Sequence, residues 1–346
     1  MVELPEISVE VTEHRLGRRR CPGCGEVTRA ELPPEAPRGH FGPRLCAAVG
    51  TLAAGFRLSR RQASELCSEL FGCEISVGAV DAILARTGTA LTAPQERLGE
   101  AVRGAPALCV DETGWKESGE KRALWGAFTE RHAALWIADS RHRDHAEELL
   151  GDTEAIVSSD RWWAYDYLDP ARRQVCWSHL LRDFRFHAEG LTHQREFGER
   201  ALRIAEGVFG AWREFGADGD RAPLAQRIAP LRAELRELCE RGARKSAKTR
   251  HHRRFARNLI KVWPALWTFV EAEGVEPTNN AAERGLRHAV IYRKLSQGSR
   301  SEHGKRTTER LLSAAITCRL QGRSLFAYLA DATQASIRGQ PVPALV

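Results

Sequence analysis

Three acids in this sequence have the type and placement for metal-assisted phosphodiester chemistry: Asp111, Asp160 and Glu283. Magnesium is a hard cation that takes oxygen ligands, usually one or two carboxylates, with water and substrate phosphate completing its shell. Two such ions about 4 Å apart can activate an attacking oxygen and stabilise a leaving one. Carboxylates gathered from separate elements repel each other, and a bound cation relieves that repulsion and keeps them ionised. Two ions of Mg²⁺ or Mn²⁺ shared among these three side chains are therefore expected.

Each acid also has a purely structural reading. Asp111 could simply end a strand, with Glu112 turned to the opposite face. Asp160 could open a turn or cap a helix holding Trp162 and Trp163, and Asn280 with Glu283 fits a capping box. What favours chemistry is the place of all three in one pattern of elements. Ala107-Leu-Cys-Val110, Ala123 to Phe128 and Ala133 to Ala138 read as three strands, with a turn at Ser118-Gly119 between the first two. A helix is expected over Arg143 to Leu150, a fourth strand at Ala155-Ile-Val157 ending near Asp160, and a further helix after it. A fifth strand at Gln174 to Trp177 then runs into a helix from Ser178. This order is that of a ribonuclease-H-like fold, an α/β mixed sheet with flanking helices. Its first and fourth strands are neighbours, so Asp111 and Asp160, 49 residues apart, can meet.

Glu283 comes 123 residues after Asp160. Between them, residues 186–275 read as helices only. Apolar residues repeat at helical spacing through Phe197, Ala201, Ile204, Val208 and Trp212, through Leu224, Ile228, Leu231, Leu235 and Leu238, and through Phe255, Leu259, Val262 and Leu266, with a kink expected at Pro264. This is a helical insertion, after which residues 276–325 return to the catalytic domain begun at 101–185. Residues 326–346 read as a C-terminal tail.

Ahead of the sheet, residues 46–100 read as a small helical domain. Ser59 and Gln62 form a capping-box pattern for a helix presenting Ala63, Leu66 and Leu70 and stopping near Gly72. Ser76 caps a second helix, with Val80, Ile83 and Leu84 inward. Two short helices about a glycine turn suit a helix-turn-helix DNA-binding unit or an ordinary hairpin. Residues 1–45 hold a Cys21-Pro-Gly-Cys24 motif and a Pro-rich linker with Pro33, Pro34, Pro37 and Pro43. Structural zinc takes four ligands. Cys21 and Cys24 supply two and His14 is a poorly placed third, so the motif is only a partial zinc knuckle.

The net charge is +7 and the pI about 9.1, which suits a polyanionic partner. Between Arg241 and Lys261 stand nine basic residues and no acid: Arg241, Arg244, Lys245, Lys248, Arg250, Arg253, Arg254, Arg257 and Lys261. Such runs are usually solvated faces. Here the neighbouring Phe255 and Trp263 and the sheet pattern favour phosphate contacts. Arg284 and Arg287 follow Glu283, one toward phosphate and one toward solvent. Cys176 and His179 are spaced as Cys-x-x-His but lack two zinc partners, so a buried thiol and a pocket-shaping histidine are expected. Trp162 or Trp163 could contact a splayed base. No apolar run of about 18 residues predicts a membrane span, the N-terminus lacks a secretory signal, and nine scattered cysteines suit a reducing cytoplasm.

The segments Val110-Asp-Glu-Thr-Gly-Trp115, Ser159-Asp-Arg161 with Tyr165, Cys176-Trp-Ser-His-Leu-Leu-Arg-Asp-Phe184 and Thr278-Asn-Asn-Ala-Ala-Glu-Arg284 resemble signatures of transposases of the insertion sequence 66 family. So do Arg293-Lys-Leu-Ser296, Gly298, Ser301-Glu302 and Cys318-Arg319, and the resemblance runs from about residue 4 through nearly the whole chain. It implies a bacterial acid-triad transposase whose catalytic acids fall on Asp111, Asp160 and Glu283. It also implies a DNA substrate with terminal inverted repeats, target DNA, and small companion proteins of the element. Assembly on paired ends implies a homo-oligomer, in the cytoplasm and on the nucleoid. Members usually carry an earlier cysteine pair, and the chain begins too late to hold it, so a shortened N-terminus is expected. The other readings are a nuclease of the same fold that does not join strands, and a non-catalytic DNA-binding protein descended from a transposase.

Overall fold

The computed structural model describes residues 1–3, 7–33, 36 and 39–346; Pro34 and Pro37 of the expected linker lie outside them. A small hairpin comes first, β1 (Arg18–Arg20) against β2 (Val27–Arg29), with Cys21 and Cys24 in its turn. Pro43 then opens helix α1 (Pro43–Gly50), a first-turn position where its missing N–H costs nothing. A π-helical turn, Thr51–Gly55, extends it.

Helix α2 (Arg60–Phe71) has the expected box: Ser59 Oγ accepts from Gln62 N, and Gln62 Oε1 accepts from Ser59 N. It stops at Gly72, whose left-handed φ of 58° suits a residue without Cβ. Its inner seam is Ala63 and Cys67, while Leu70, expected inward, is 58% exposed. The four-residue step from Ala63 reaches Cys67 on the same face. Helix α3 (Val77–Ala90) is capped by Ser76 and buries Val80, Ile83 and Leu84 as expected; α4 (Thr92–Arg103) leads to the sheet.

The sheet has five strands in the order β5-β4-β3-β6-β7. β3 (Ala107–Glu117), β4 (Glu120–Phe128) and β5 (Ala133–Ala138) form an antiparallel meander. Its first turn puts Ser118 and Gly119 at φ 49° and 89°, a mirror-image turn that matches strand twist. Helix α5 (Arg143–Leu150) crosses to β6 (Ile156–Ser159), which runs parallel to β3, and β7 (Arg173–Val175) is parallel to β6. Where a helix was expected between β6 and β7 there are two 3₁₀ turns, Trp163–Tyr165 and Pro170–Arg172. Asp169-Pro170 breaks that stretch, since a residue before proline avoids the helical region.

Helix α6 (Trp177–Ala188) follows, then α7 (Thr192–Asp218), α8 (Arg221–Ala243), α9 (Arg253–Lys261) and α10 (Thr268–Glu271). Their core includes Trp177, Phe184, Leu235 and Trp267, and it takes in Val175 of β7 with Ala107 and Ile156 packed against it. Pro264 does not kink a helix; it starts a 3₁₀ turn after α9 has ended.

The chain returns through α11 (Asn280–Ser296), α12 (Glu302–Leu320) and α13 (Leu325–Ile337). The stretch read as a tail thus holds a helix, whose Tyr328, Leu329 and Ala332 are buried. Leu286 and Ala289 of α11 and Leu312 and Ile316 of α12 pack on one face of the meander, against Leu124, Leu135 and Ile137. The other face buries Val110 and Trp125 in a core continuous with α1 and α3.

Two devices lock this return. Edge strand β5 receives α12: its amides at Ala133, Leu135 and Ile137 donate to Thr317 Oγ1 (3.0 Å), Ser313 Oγ (3.0 Å) and Glu309 Oε1 (2.7 Å). Two residues of strand and four of helix advance about 6 to 7 Å alike, so the ladders stay in step and the edge is closed. His288 of α11 takes an Arg57 N–H on Nδ1 (2.9 Å), so its own N–H is on Nε2 and donates to Ala54 O (2.6 Å). No described helix is long and apolar enough to cross a membrane.

Candidate active site

Asp111 stands inside β3 and not at its end, because the β3–β4 hairpin continues to Glu117. Parallel pairing with β6 stops at Cys109, so Asp111 lies just past the point where β3 loses that neighbour. Strand alternation turns Asp111 toward α11 and Glu112 away from it. There Glu112 Oε2 accepts from Tyr165 Oη (2.7 Å), and Oε1 pairs with Arg141 (3.1 Å).

Asp160 follows β6 directly. One carboxylate oxygen accepts from Trp162 N (2.8 Å), so the acid shapes a turn and caps no helix. Arg173, almost wholly buried, holds this turn from β7, donating to Asp160 O (2.7 Å), Tyr165 O (3.1 Å) and Ser159 Oγ (3.1 Å).

Glu283 is the fourth residue of α11 and takes no part in capping: Asn279 is the N-cap and makes no side-chain cap bond. Asn279 instead donates Nδ2–H to Val110 O (2.6 Å) and its backbone N–H to Cys176 Sγ (3.2 Å). One buried residue thereby fixes the start of α11 against β3 and the start of α6.

The electrostatics tie the acids together. The Asp111 carboxyl is pushed up to about 7, first by burial, then by the charge of Glu112, and further by Asp160 and Glu283. A divalent cation near Asp111 would offset both the burial and the repulsion. Glu112 is already engaged by Tyr165 and Arg141.

His179 lies one turn into α6, with Nδ1 3.6 Å from Glu283 Oε1. Burial and Arg182 hold its pKa below the ordinary value, against Asp160 and Glu283. Cys176 is buried, and burial raises its thiol. Among the described residues, Cys176, His179 and Glu283 form a group with one potential ligand atom each, all within 4.8 Å of one another; Asp111 and Asp160 are not part of it. Cys21 and Cys24 are exposed and belong to no such group.

Arg284 and Arg287 are both exposed on α11. Of the basic run, Arg241 pairs with Glu237 (2.8 Å) and Lys261 with Asp166 (2.8 Å). Among the described residues, Arg244, Lys245, Lys248, Arg250, Arg253, Arg254 and Arg257 have no acidic partner, and most of them are exposed. A cleft of about 1410 Å³ opens between the β3–β4 hairpin and the turn after Asp160, lined by Lys116, Lys121, Arg293 and Arg300 together with Trp162 and Trp163. Its outer wall depends on Gly298, at φ +97°, where any Cβ would collide with Lys116 O.

Several of these residues have no place that sequence alone assigns. Tyr165 and Glu112 stand inside motifs without a partner, and Arg173 and Asn279 carry no local signal that they would be buried. The 49 residues between the two aspartates mark a strand crossover, whereas the Asn279–Val110 bond spans 169 residues.

The model for the family described as Transposase IS66 family matches residues 38–307 of the chain. Three uncharacterized proteins of Sinorhizobium fredii (strain NBRC 101917 / NGR234) are similar over much of it. The protein y4qI is 25% identical over 325 residues, covering 85% of this chain and 59% of its own length. The corresponding figures for y4hP are 23% over 363 residues, 94% and 65%, and for y4jD 25% over 275 residues, 70% and 53%. The chain therefore spans less than two thirds of the length of each of these relatives.

Proposed function

The chain belongs to the IS66 transposase family, and on that premise we propose that it cuts DNA at the ends of a mobile element and transfers the freed 3′-hydroxyl into target DNA. The observation that carries this reading is the Asp111 carboxyl on β3, raised first by burial and then by Glu112, with further contributions from the charges of Asp160 after β6 and Glu283 on α11. The sheet supports it: three antiparallel strands followed by two parallel ones, in the order β5-β4-β3-β6-β7, is the order expected of a ribonuclease-H-like arrangement.

In this proposal Asp111, Asp160 and Glu283 hold Mg²⁺ or Mn²⁺. Bound there, the ions supply an activated attacking oxygen and stabilisation of the leaving one. The rest of the work belongs to the protein. Asn279 and Arg173 keep the three acids in register. His179, with Nδ1 3.6 Å from Glu283 Oε1, shapes the pocket beside that carboxylate. Arg284, the next residue, or Arg287, one turn beyond, neutralises substrate phosphate. The unpaired cations from Arg244 to Arg257, with those of the cleft, track the DNA backbone, and α2–α3 is a second candidate DNA contact. A homo-oligomer on paired ends and companion proteins of the element belong to the same reading.

Strand joining is the discriminating experiment. Precut element ends with a free 3′-hydroxyl should be joined to target DNA in Mg²⁺. Cleavage of intact ends without any joining of precut ones would instead assign a nuclease.

A further inference from the structure

The Cys-x-x-His pair of α6 lacks partners in sequence, and the fold brings one. We propose that Cys176, His179 and Glu283 form a mixed sulfur–nitrogen–oxygen site for a single borderline-soft divalent ion of the zinc type, distinct in its donor set from the all-carboxylate triad but sharing Glu283 with it. Their ligand atoms already lie within 4.8 Å of one another. In a tetrahedral zinc site, bonds of about 2.0 to 2.3 Å put ligands roughly 3.3 to 3.8 Å apart. His179 Nδ1 and Glu283 Oε1, at 3.6 Å, are within that range. The other pairs need to close by at most about 1 Å, and the Glu283 side chain is 42% exposed.

Two features point to a ligand and not to chance proximity. His179 Nδ1 is buried with no hydrogen-bond partner, although it faces the carboxylate. Cys176 Sγ accepts the Asn279 backbone N–H at 3.2 Å, the outer-shell support that a metal thiolate uses. Cys176 at the N-cap of α6 and His179 three residues on share one face. Three protein ligands leave a fourth position for water, the layout of an open site and not of a closed structural one. Where the acids act as proposed above, an ion here takes Glu283 from the triad, so zinc opposes magnesium-dependent cleavage.

The site is tested without DNA, so its failure leaves the reading of the acid triad untouched. The full chain carrying Cys21→Ser and Cys24→Ser, which removes the exposed thiol pair, is titrated with Co²⁺ and followed by absorption. A thiolate-to-cobalt charge-transfer band is expected, lost in Cys176→Ser. Cobalt affinity should fall at least tenfold in His179→Ala and Glu283→Gln, both of which keep the thiol in place, and the band should persist in Asp160→Asn. Absence of the band, its survival in Cys176→Ser, or unchanged affinity in His179→Ala would overturn the site. If Cys176→Ser does not fold, the His179 and Glu283 variants decide alone.

Discussion

Asn279 donates its side-chain N–H to the carbonyl oxygen of Val110 at 2.6 Å, so the residue that opens α11 is bonded to the residue just before Asp111. Glu283 and Asp111 inherit their relation from this bond. Asn279→Ala leaves a buried carbonyl unpaired, at a cost of about 1 to 3 kcal/mol. Denaturant unfolding should show that loss, and DNA cleavage should fall well below what the stability change explains, with DNA binding retained. Unchanged cleavage would mean that α11 is positioned by its packing alone.

The clamp on edge strand β5 predicts a loss of stability remote from the site. Ser313→Ala removes the acceptor for the buried Leu135 amide and should cost about 1 to 3 kcal/mol. The same substitution at exposed Ser68, on the outer face of α2, should change stability by less than about 0.5 kcal/mol. Equal effects in thermal unfolding would remove the clamp from the account.

His288 links stability to acid. Its pKa is pushed down to about 4, first by burial, and its Nδ1 faces the Arg57 guanidinium, so a proton there has no acceptor. The folded value is below the unfolded 6.5, so the contribution of the neutral ring is whole above pH 6.5 and is lost as pH falls toward 4. About 3 kcal/mol is at stake. His288→Gln should flatten stability against pH across that window, measured by urea unfolding at each pH.

The basic run predicts a salt effect. Replacing Arg244, Lys245, Lys248 and Arg250 with glutamine should weaken DNA binding and flatten the plot of log affinity against log salt by about 0.9 for each phosphate that these side chains neutralise. A wild-type slope in the variant would assign them to solvent.

Much of the architecture is legible in the sequence because it is local. Ser59, Gln62 and Gly72 delimit α2 through bonds within four residues, and Ala133 to Ala138 is a short apolar run that ends where its strand ends. What pairs over long distance is not legible. Leu70 has the chemistry of a core residue, yet the buried seam runs through Ala63 and Cys67. Asp111 looks like the end of a strand because the apolar run stops there, while the hairpin carries β3 on to Glu117. Arg173 reads as a surface cation until the Asp160 turn folds over it, and Cys176 and His179 reveal a third neighbour only when α11 delivers Glu283. The caps and strands follow from neighbouring residues; the site follows from topology, which local periodicity does not encode.

Whether Asp111, Asp160 and Glu283 act together on a phosphodiester with a divalent ion is read from cleavage of labelled element ends. The wild-type chain should cut in Mg²⁺ or Mn²⁺ and not in Ca²⁺. Asp111→Asn, Asp160→Asn and Glu283→Gln should each lose about a hundredfold or more of that rate, the scale of removing one electrostatic catalytic group, while still binding the ends. Wild-type cutting by any of the three variants, or cutting that needs no divalent ion, would rule out a metal-holding acid triad.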